Sequence, residues 1–213
     1  MGSRLQKLRN DFPALVFARL TAWSFKINRM ASGLITKTVW KASGIRFGSG
    51  CDFYGIPITQ RVYNSSIEIG NNCRFRSSPS SNLIGLNRKC TIATHKQGAQ
   101  IKIGNRCGLS GAVIGCSELI TIDDDVLFGA NSFVTDFDWH VVNPKERHLS
   151  GRSKSKPVHI KRNVWLGYGA VVLKGVTIGE NSVITANSVV VTNIPANVIA
   201  GGNPAKVIKE IEV

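Results

Sequence analysis

The sequence predicts an all-β fold, a parallel β-helix wound from six-residue blocks, and three observations carry that reading. From Ile160 an aliphatic residue returns at every sixth position, through Leu166, Val172, Ile178 and Ile184 to Val190. The fifth slot of these blocks holds Val164, Ala170, Val176, Ser182, Ser188 and Ile194, small or β-branched residues, while the slots between carry Gly, Asn and polar residues. The same phrasing appears upstream in broken form, as FGSGCD from Phe47, IGNNCR from Ile69, IGNRCG from Ile103, IDDDVL from Ile122 and FGANSF from Phe128. A helix needs apolar residues three and four apart, and a two-sided strand alternates by two along its whole length. Period six suits a flat face that turns a corner after each block, with Gly or Asn supplying the left-handed backbone at the turn. Three such faces close a coil, and stacked coils bury one another's edges. This physics gives the solenoid without its handedness.

The elements follow in chain order. Residues 1–44 are basic and rich in aliphatic and aromatic side chains, with Asp11 their single acid. After Pro13 the spacing of Leu15, Val16, Leu20, Trp23, Ile27 and Met30 predicts an amphipathic helix. Such a helix suits either an anionic membrane surface or a neighbouring subunit. Residues 45–202 form the β-helix. Its period fails once at length, between the block at Val134 and the block at Ile160, where TDFDWHVVNPKERHLSGRSKSKPVH marks a protruding loop over 135–159. Polar insertions of that length in a solenoid are decoration or the seat of function. Residues 203–213 are the C-terminal tail.

Composition narrows the function classes. The 213 residues hold 27 Lys+Arg against 13 Asp+Glu, a formal charge of +14, which favours an anionic partner. No DNA- or RNA-binding signature accompanies that charge, so it is read as serving a phosphorylated small molecule or an anionic membrane surface rather than nucleic acid. No uncharged apolar run of membrane-spanning length and no secretory signal is seen, which points to the cytoplasm, with peripheral contact at the inner face of the cell membrane as an extension. The five cysteines lack CxxC or Cys/His spacing, so neither a disulfide framework nor a metal site is expected. Cys51, Cys73 and Cys107 fall in the fifth slot and read as small core residues.

The blocks resemble the hexapeptide-repeat acyltransferases, and the run from Ser110 to Ile211 is similar to bacterial sugar O-acetyltransferases of the galactoside, maltose and capsule or colanic acid type. The resemblance implies a left-handed coil, a homotrimer with active sites between subunits, and acetyl-coenzyme A as co-substrate. It also implies that the loop carries the catalytic base, here His140, followed by Arg147 and the return Pro157-Val158. A sugar hydroxyl is a poor nucleophile at neutral pH, and a neutral imidazole can take its proton as it attacks a thioester. Asp136 and Asp138 flank the base; they either orient the imidazole or bind acceptor hydroxyls, or else cap the loop's own turns. Trp139 offers a platform to a sugar ring or packs on the coil. At the place of the family's acceptor-site Asn this chain has Ser110, or Leu109 if the register slips. His95, His148 and His159 read as surface or supporting residues.

For the donor, the resemblance implies a groove along the C-terminal coils lined by Tyr168, Ala186, Val191, Thr192, Lys206 and Lys209. Lys161, Arg162 and Lys174 are further candidates for its phosphates. Small turn residues are also what a coil needs in any case. The expected activity is acetyl transfer from acetyl-coenzyme A to a hydroxyl of a sugar or glycan intermediate, with no metal required. The alternatives are an N-acyltransferase acting on an amino sugar and a non-catalytic β-helix subunit for binding or assembly. Carbonic anhydrase chemistry on the same fold needs three metal-binding histidines, whose spacing is absent here.

Overall fold

The residues spaced by six fall on one another in parallel ladders, one for each side of a three-sided coil. The computed structural model describes residues 12–149 and 153–212. Residues 1–11 of the N-terminal segment, 150–152 of the loop and the last residue of the tail lie outside it. The first side is the sheet β1 (Arg46–Phe47), β4 (Ser66–Ile69), β7 (Gln100–Ile103), β10 (Leu119–Ile122), β13 (Val158–Ile160) and β16 (Thr177–Ile178). The second stacks β2 (Asp52–Tyr54), β5 (Arg74–Arg76), β8 (Gly108–Ser110), β11 (Leu127–Phe128), β14 (Trp165–Leu166), β17 (Val183–Ile184), β19 (Val198–Gly202) and β20 (Ala205–Glu210). The third holds β3 (Ile58–Gln60), β6 (Thr91–Thr94), β9 (Val113–Cys116), β12 (Phe133–Thr135), β15 (Val171–Val172) and β18 (Val189–Val190). The chain visits the three sides in turn, which makes a parallel β-helix.

The core is the inside of that triangle. On the first side Ile69, Ile103, Ile122, Ile160 and Ile178 pair in sequence. On the second, Phe53, Phe75, Leu109, Phe128, Leu166, Ile184 and Ala200 do so, and on the third Ile92, Ile114, Val134, Val172 and Val190. All are buried. The corner from the first side to the second is turned by Asn72, Arg106, Asp125, Asn163, Asn181 and Asn197, all with positive φ. Asparagine tolerates that left-handed backbone, and its amide joins neighbouring coils: Asn163 donates to Asn181 at 3.0 Å and Asn181 to Asn197 at 2.7 Å. One column further, the thiols of Cys51, Cys73 and Cys107 donate to the carbonyls of Gly70, Gly104 and Asp123 in the next coil. The adjoining Cys107 thiol, then burial, push Cys73 up to about 12. These thiols are free and buried, packed as core residues.

Both ends of the coil are closed. The helix α1 (Phe12–Ala42) ends in a left-handed Gly44, with Ile45 N donating to Trp40 O and Gly44 N to Lys41 O, the bond pair of a Schellman stop. Trp40, 1% exposed, sits edge-on to Phe53 at 5.0 Å and to Phe75 at 5.4 Å, and covers the first coil. Asn28 and Ser32 both accept from Gly55 N, and Arg29 pairs with Asp52 at 2.8 Å. At the other end β20 turns back antiparallel on β19 and covers the last coil. An insertion that sequence periodicity did not isolate separates β5 from β6 and contains a 3-10 turn, Pro79–Ser81. Among the described residues no helix is long and apolar enough to cross a membrane.

Candidate active site

The loop leaves the coil after β12 because Asp136 anchors its first residue. This carboxylate is fully buried and accepts Ser117 N at 2.7 Å on one oxygen and Glu118 N and Leu119 N, both at 2.8 Å, on the other. Its oxygens are thus spent on the turn between β9 and β10, the capping geometry left open by the sequence. The two legs of the loop then pair: Phe137 bridges Ser155, Asp138 N donates to Lys154 O, and Lys156 N donates to Asp136 O. Asp138 is held by Lys174, so this lysine is engaged at the loop's base rather than free for a phosphate.

Past these legs the chain folds back over the earlier coils. Trp139 lies against Phe137 at 4.8 Å and edge-on to His95 at 4.9 Å, and remains 48% exposed. Gly115 makes room for it: a Cβ there would stand 2.9 Å from the indole. The resulting pocket, about 350 Å³, is lined by His95, Ser117, Trp139, His140, Arg147 and His148 among others. His140 is exposed at its rim, and Arg147 donates to Val142 O at 3.0 Å within the loop. The structure therefore brings together His140, Trp139 and Arg147, and adds His95 and His148, which the sequence reads as surface or supporting residues. His159 is elsewhere, on the first side, bonded to Asp123 at 2.9 Å.

His95 is the residue the sequence reading undervalued. Its Nε2 is buried without a hydrogen-bond partner, and burial lowers its pKa, against a smaller opposing pull from the Asp136 charge. Its place follows from the strand register. Strand register aligns Thr94 with Cys116 and Thr135 with Gly115, which puts His95, Ser117 and Phe137 in one column. The lowered pKa has a stability consequence. The folded state disfavours the protonated ring, so this contribution is complete above the unfolded value of about 6.5 and is lost as pH falls from there toward the folded pKa. Wild type is expected to lose thermal stability between pH 7.5 and 5.5 more steeply than His95→Phe. Parallel melting curves would show that His95 is not the titrating group.

Ser110 and the donor positions lie on other parts of the coil. Leu109 is in the core, which leaves Ser110 as the outward residue at the end of β8; its hydroxyl accepts from Asn82 Nδ2 at 3.2 Å. Asn82 comes from the 77–90 insertion, which thus sets an amide beside Ser110. Ser110 and Tyr168 share a groove of about 310 Å³ with Arg74, Arg76, Asn82 and Trp165. Tyr168 and Ala186 stack at the same corner, with Asn187 N donating to Tyr168 O at 2.7 Å. Beneath Ala186, Gly167 permits close coil contact, since a Cβ there would meet Ala186 N at 2.7 Å. Lys206 and Lys209 are exposed on β20. Val191 and Thr192 are exposed at the next corner, after β18, on the side from which the loop departs. Within one chain, His140 and Ser110 thus stand at opposite ends of the third side. Among the described residues no cluster of His, Cys, Asp and Glu is arranged to hold a metal ion.

Comparison with known proteins bears on the coil that carries these residues. The bacterial transferase hexapeptide pattern (six repeats) matches residues 157–192. Galactoside O-acetyltransferase of Lactococcus lactis is 46% identical over 92 residues, which are 43% of this chain and 44% of that protein. The matched region spans less than half the length of the curated relatives. Among solved structures, a hexapeptide-repeat-containing acetyltransferase from Vibrio cholerae, complexed with acetyl-coenzyme A, is similar with a TM-score of 0.50 and 32% identity, covering 56% of this chain and 66% of that one. An N-acyltransferase from Bacillus cereus, in complex with dTDP-4-amino-4,6-dideoxyglucose and coenzyme A, has a TM-score of 0.61 at 18% identity, over 83% of this chain and 90% of that one, a likeness of fold alone. The fold is the left-handed parallel β-helix of the hexapeptide-repeat acyltransferases.

Proposed function

From a left-handed β-helix that carries the transferase hexapeptide repeat and sets a histidine loop on its third side, we propose that this chain moves an acetyl group from acetyl-coenzyme A to a hydroxyl of a sugar or glycan intermediate. The observation that carries the reading is the anchored loop, which holds His140 at the rim of a pocket beside an aromatic platform. The donor supplies an activated thioester. His140 accepts the proton of the acceptor hydroxyl as its oxygen bonds to the acyl carbon; collapse of the tetrahedral adduct breaks the C–S bond, and the departing thiolate takes the proton from the imidazolium. Transfer is direct, with no acyl-enzyme. Trp139 gives the sugar ring an apolar face, and Arg147 lines the same pocket. Asp138, fixed by Lys174, holds the loop's base and so the position of the imidazole. The pool of acetyl-coenzyme A makes the cytoplasm the place of action.

A homotrimer belongs to this reading. The separation of His140 from the groove of Ser110, Tyr168 and Ala186 is resolved when the loop of one copy lies against that groove on the next. Mixing tests this: His140→Ala and Ala186→Trp, each inactive alone, are expected to recover about a quarter of wild-type activity when denatured, combined in equal amounts and refolded, because a quarter of the interfaces join two intact halves. No recovery would place the whole site within one chain.

The pairing of an amino-sugar ligand with this fold in the Bacillus neighbour makes N-acylation the variant to exclude. Thiol release against matched hydroxy- and amino-sugar panels decides it, since O-transfer predicts turnover without an amine.

A further inference from the structure

We propose that α1 is an in-plane membrane anchor that seats the coil on an anionic lipid surface. This inference stands apart from the transfer reaction and would survive its failure. At 100° per residue, Asn28, Ser32, Thr36 and Trp40 occupy the face of the helix that meets the coil. Val16, Leu20, Trp23, Ile27, Met30 and Leu34 fall within an arc of about 80° whose centre lies diametrically opposite. They are 39–72% exposed, an apolar stripe whose last residues, Met30 and Leu34, border a groove shared with Asp52 and Phe53 of the first coil, while Val16, Leu20 and Trp23 lie on the turns before it. The buried residues of the helix are Ser32, Thr36 and Trp40, all in its C-terminal part. The preceding turns project beyond the coil with their large side chains in solvent, an arrangement that a helix in water does not sustain without a partner for its apolar face.

Charge identifies the partner. The helix contains no Asp or Glu, and Arg19, Lys26 and Lys37 line one flank of the stripe, within about 40° of its edge. The three-and-four spacing of the stripe would equally suit a seam between two copies of this helix. Self-association, however, would bring these cations together with no opposite charge on either helix. An anionic bilayer satisfies both features: the stripe enters the boundary between headgroups and chains, Trp23 sits at interface depth, and the cations reach lipid phosphates. The helix lacks the apolar length to span, so it lies along the surface.

The test is flotation of the full chain with vesicles of phosphatidylcholine alone or mixed with phosphatidylglycerol. Wild type is expected to float with the anionic vesicles and to be released by high salt. Leu20→Glu/Trp23→Glu/Ile27→Glu changes exposed residues only, leaves the buried Ser32, Thr36 and Trp40 intact, and is expected to lower partitioning at least about tenfold with an unchanged melting curve. Arg19→Gln, Lys26→Gln and Lys37→Gln should each lower it by about fivefold, the equivalent of one interfacial cation. Light scattering on the same samples reads the rival occupant. A triple variant that floats like wild type overturns the proposal. So does a wild type that ignores lipid while the variant loses oligomeric mass, an outcome that assigns the stripe to a second copy.

Discussion

His140→Ala is expected to reduce acceptor-dependent release of coenzyme A by about 10²–10⁴-fold, the range over which a positioned general base acts. The substitution should leave the melting temperature and donor binding unchanged, because the ring is exposed at the pocket rim and the donor positions lie on the C-terminal coils. The size of the effect follows from the chemistry: without a base the attacking oxygen must lose its proton to water or attack while still protonated. Release should be measured over a panel of mono- and oligosaccharides, with His95→Gln as the control. Loss in His140→Ala alone assigns the base. Equal loss in both variants would make the buried His95 a positioning partner, and loss in His95→Gln alone would transfer the role. Release that is indifferent to either change would sink base catalysis from this pocket. Failure of wild type to bind acetyl-coenzyme A would instead favour a non-catalytic subunit.

The parts of the molecule that were legible in the sequence are those governed by short-range repetition. Ile160, Ile178 and their counterparts recur because each side of a coil offers one inward strand position, with the small fifth-slot residue filling the adjoining corner, so period six becomes three ladders with nothing else required. The three-and-four spacing from Leu15 to Met30 likewise announces a helix, although the helix runs on to Ala42. What escaped depends on contacts distant in sequence. Asp136 reads as a neighbour of His140, yet its partners are Ser117, Glu118 and Leu119, a coil away. His95 sits in an irregular block, and its membership of the pocket depends on a loop that folds back over it from Trp139. The insertion that brings Asn82 to Ser110 contains no periodicity to interrupt. Local pattern encodes the coil, while the site is made where the pattern stops and two insertions meet the coil from outside.

Asp136→Ala is expected to produce the largest loss of stability, about 3 kcal/mol, since the buried Ser117 N–H and the part-buried Glu118 and Leu119 N–H groups lose their acceptor at a cost of about 1–3 kcal/mol each when left unpaired, the part-buried pair at the low end. Partial relaxation of the turn and entry of water hold the loss to that figure, which corresponds to a fall in melting temperature of roughly 6–12 °C for a chain of this size. Asp136→Asn separates this role from an orienting one. Its single carbonyl oxygen can serve Glu118 N and Leu119 N, but its amide nitrogen then faces Ser117 N, so an intermediate loss is expected. Activity per folded molecule should change far less than in His140→Ala, because the carboxylate's bonds run to the turn rather than to the loop's imidazole. A stable Asp136→Asn protein whose turnover falls as far as that of His140→Ala would reverse the assignment. It would mean that the carboxylate turns toward His140 in the working complex, and that the cap seen here is its resting position.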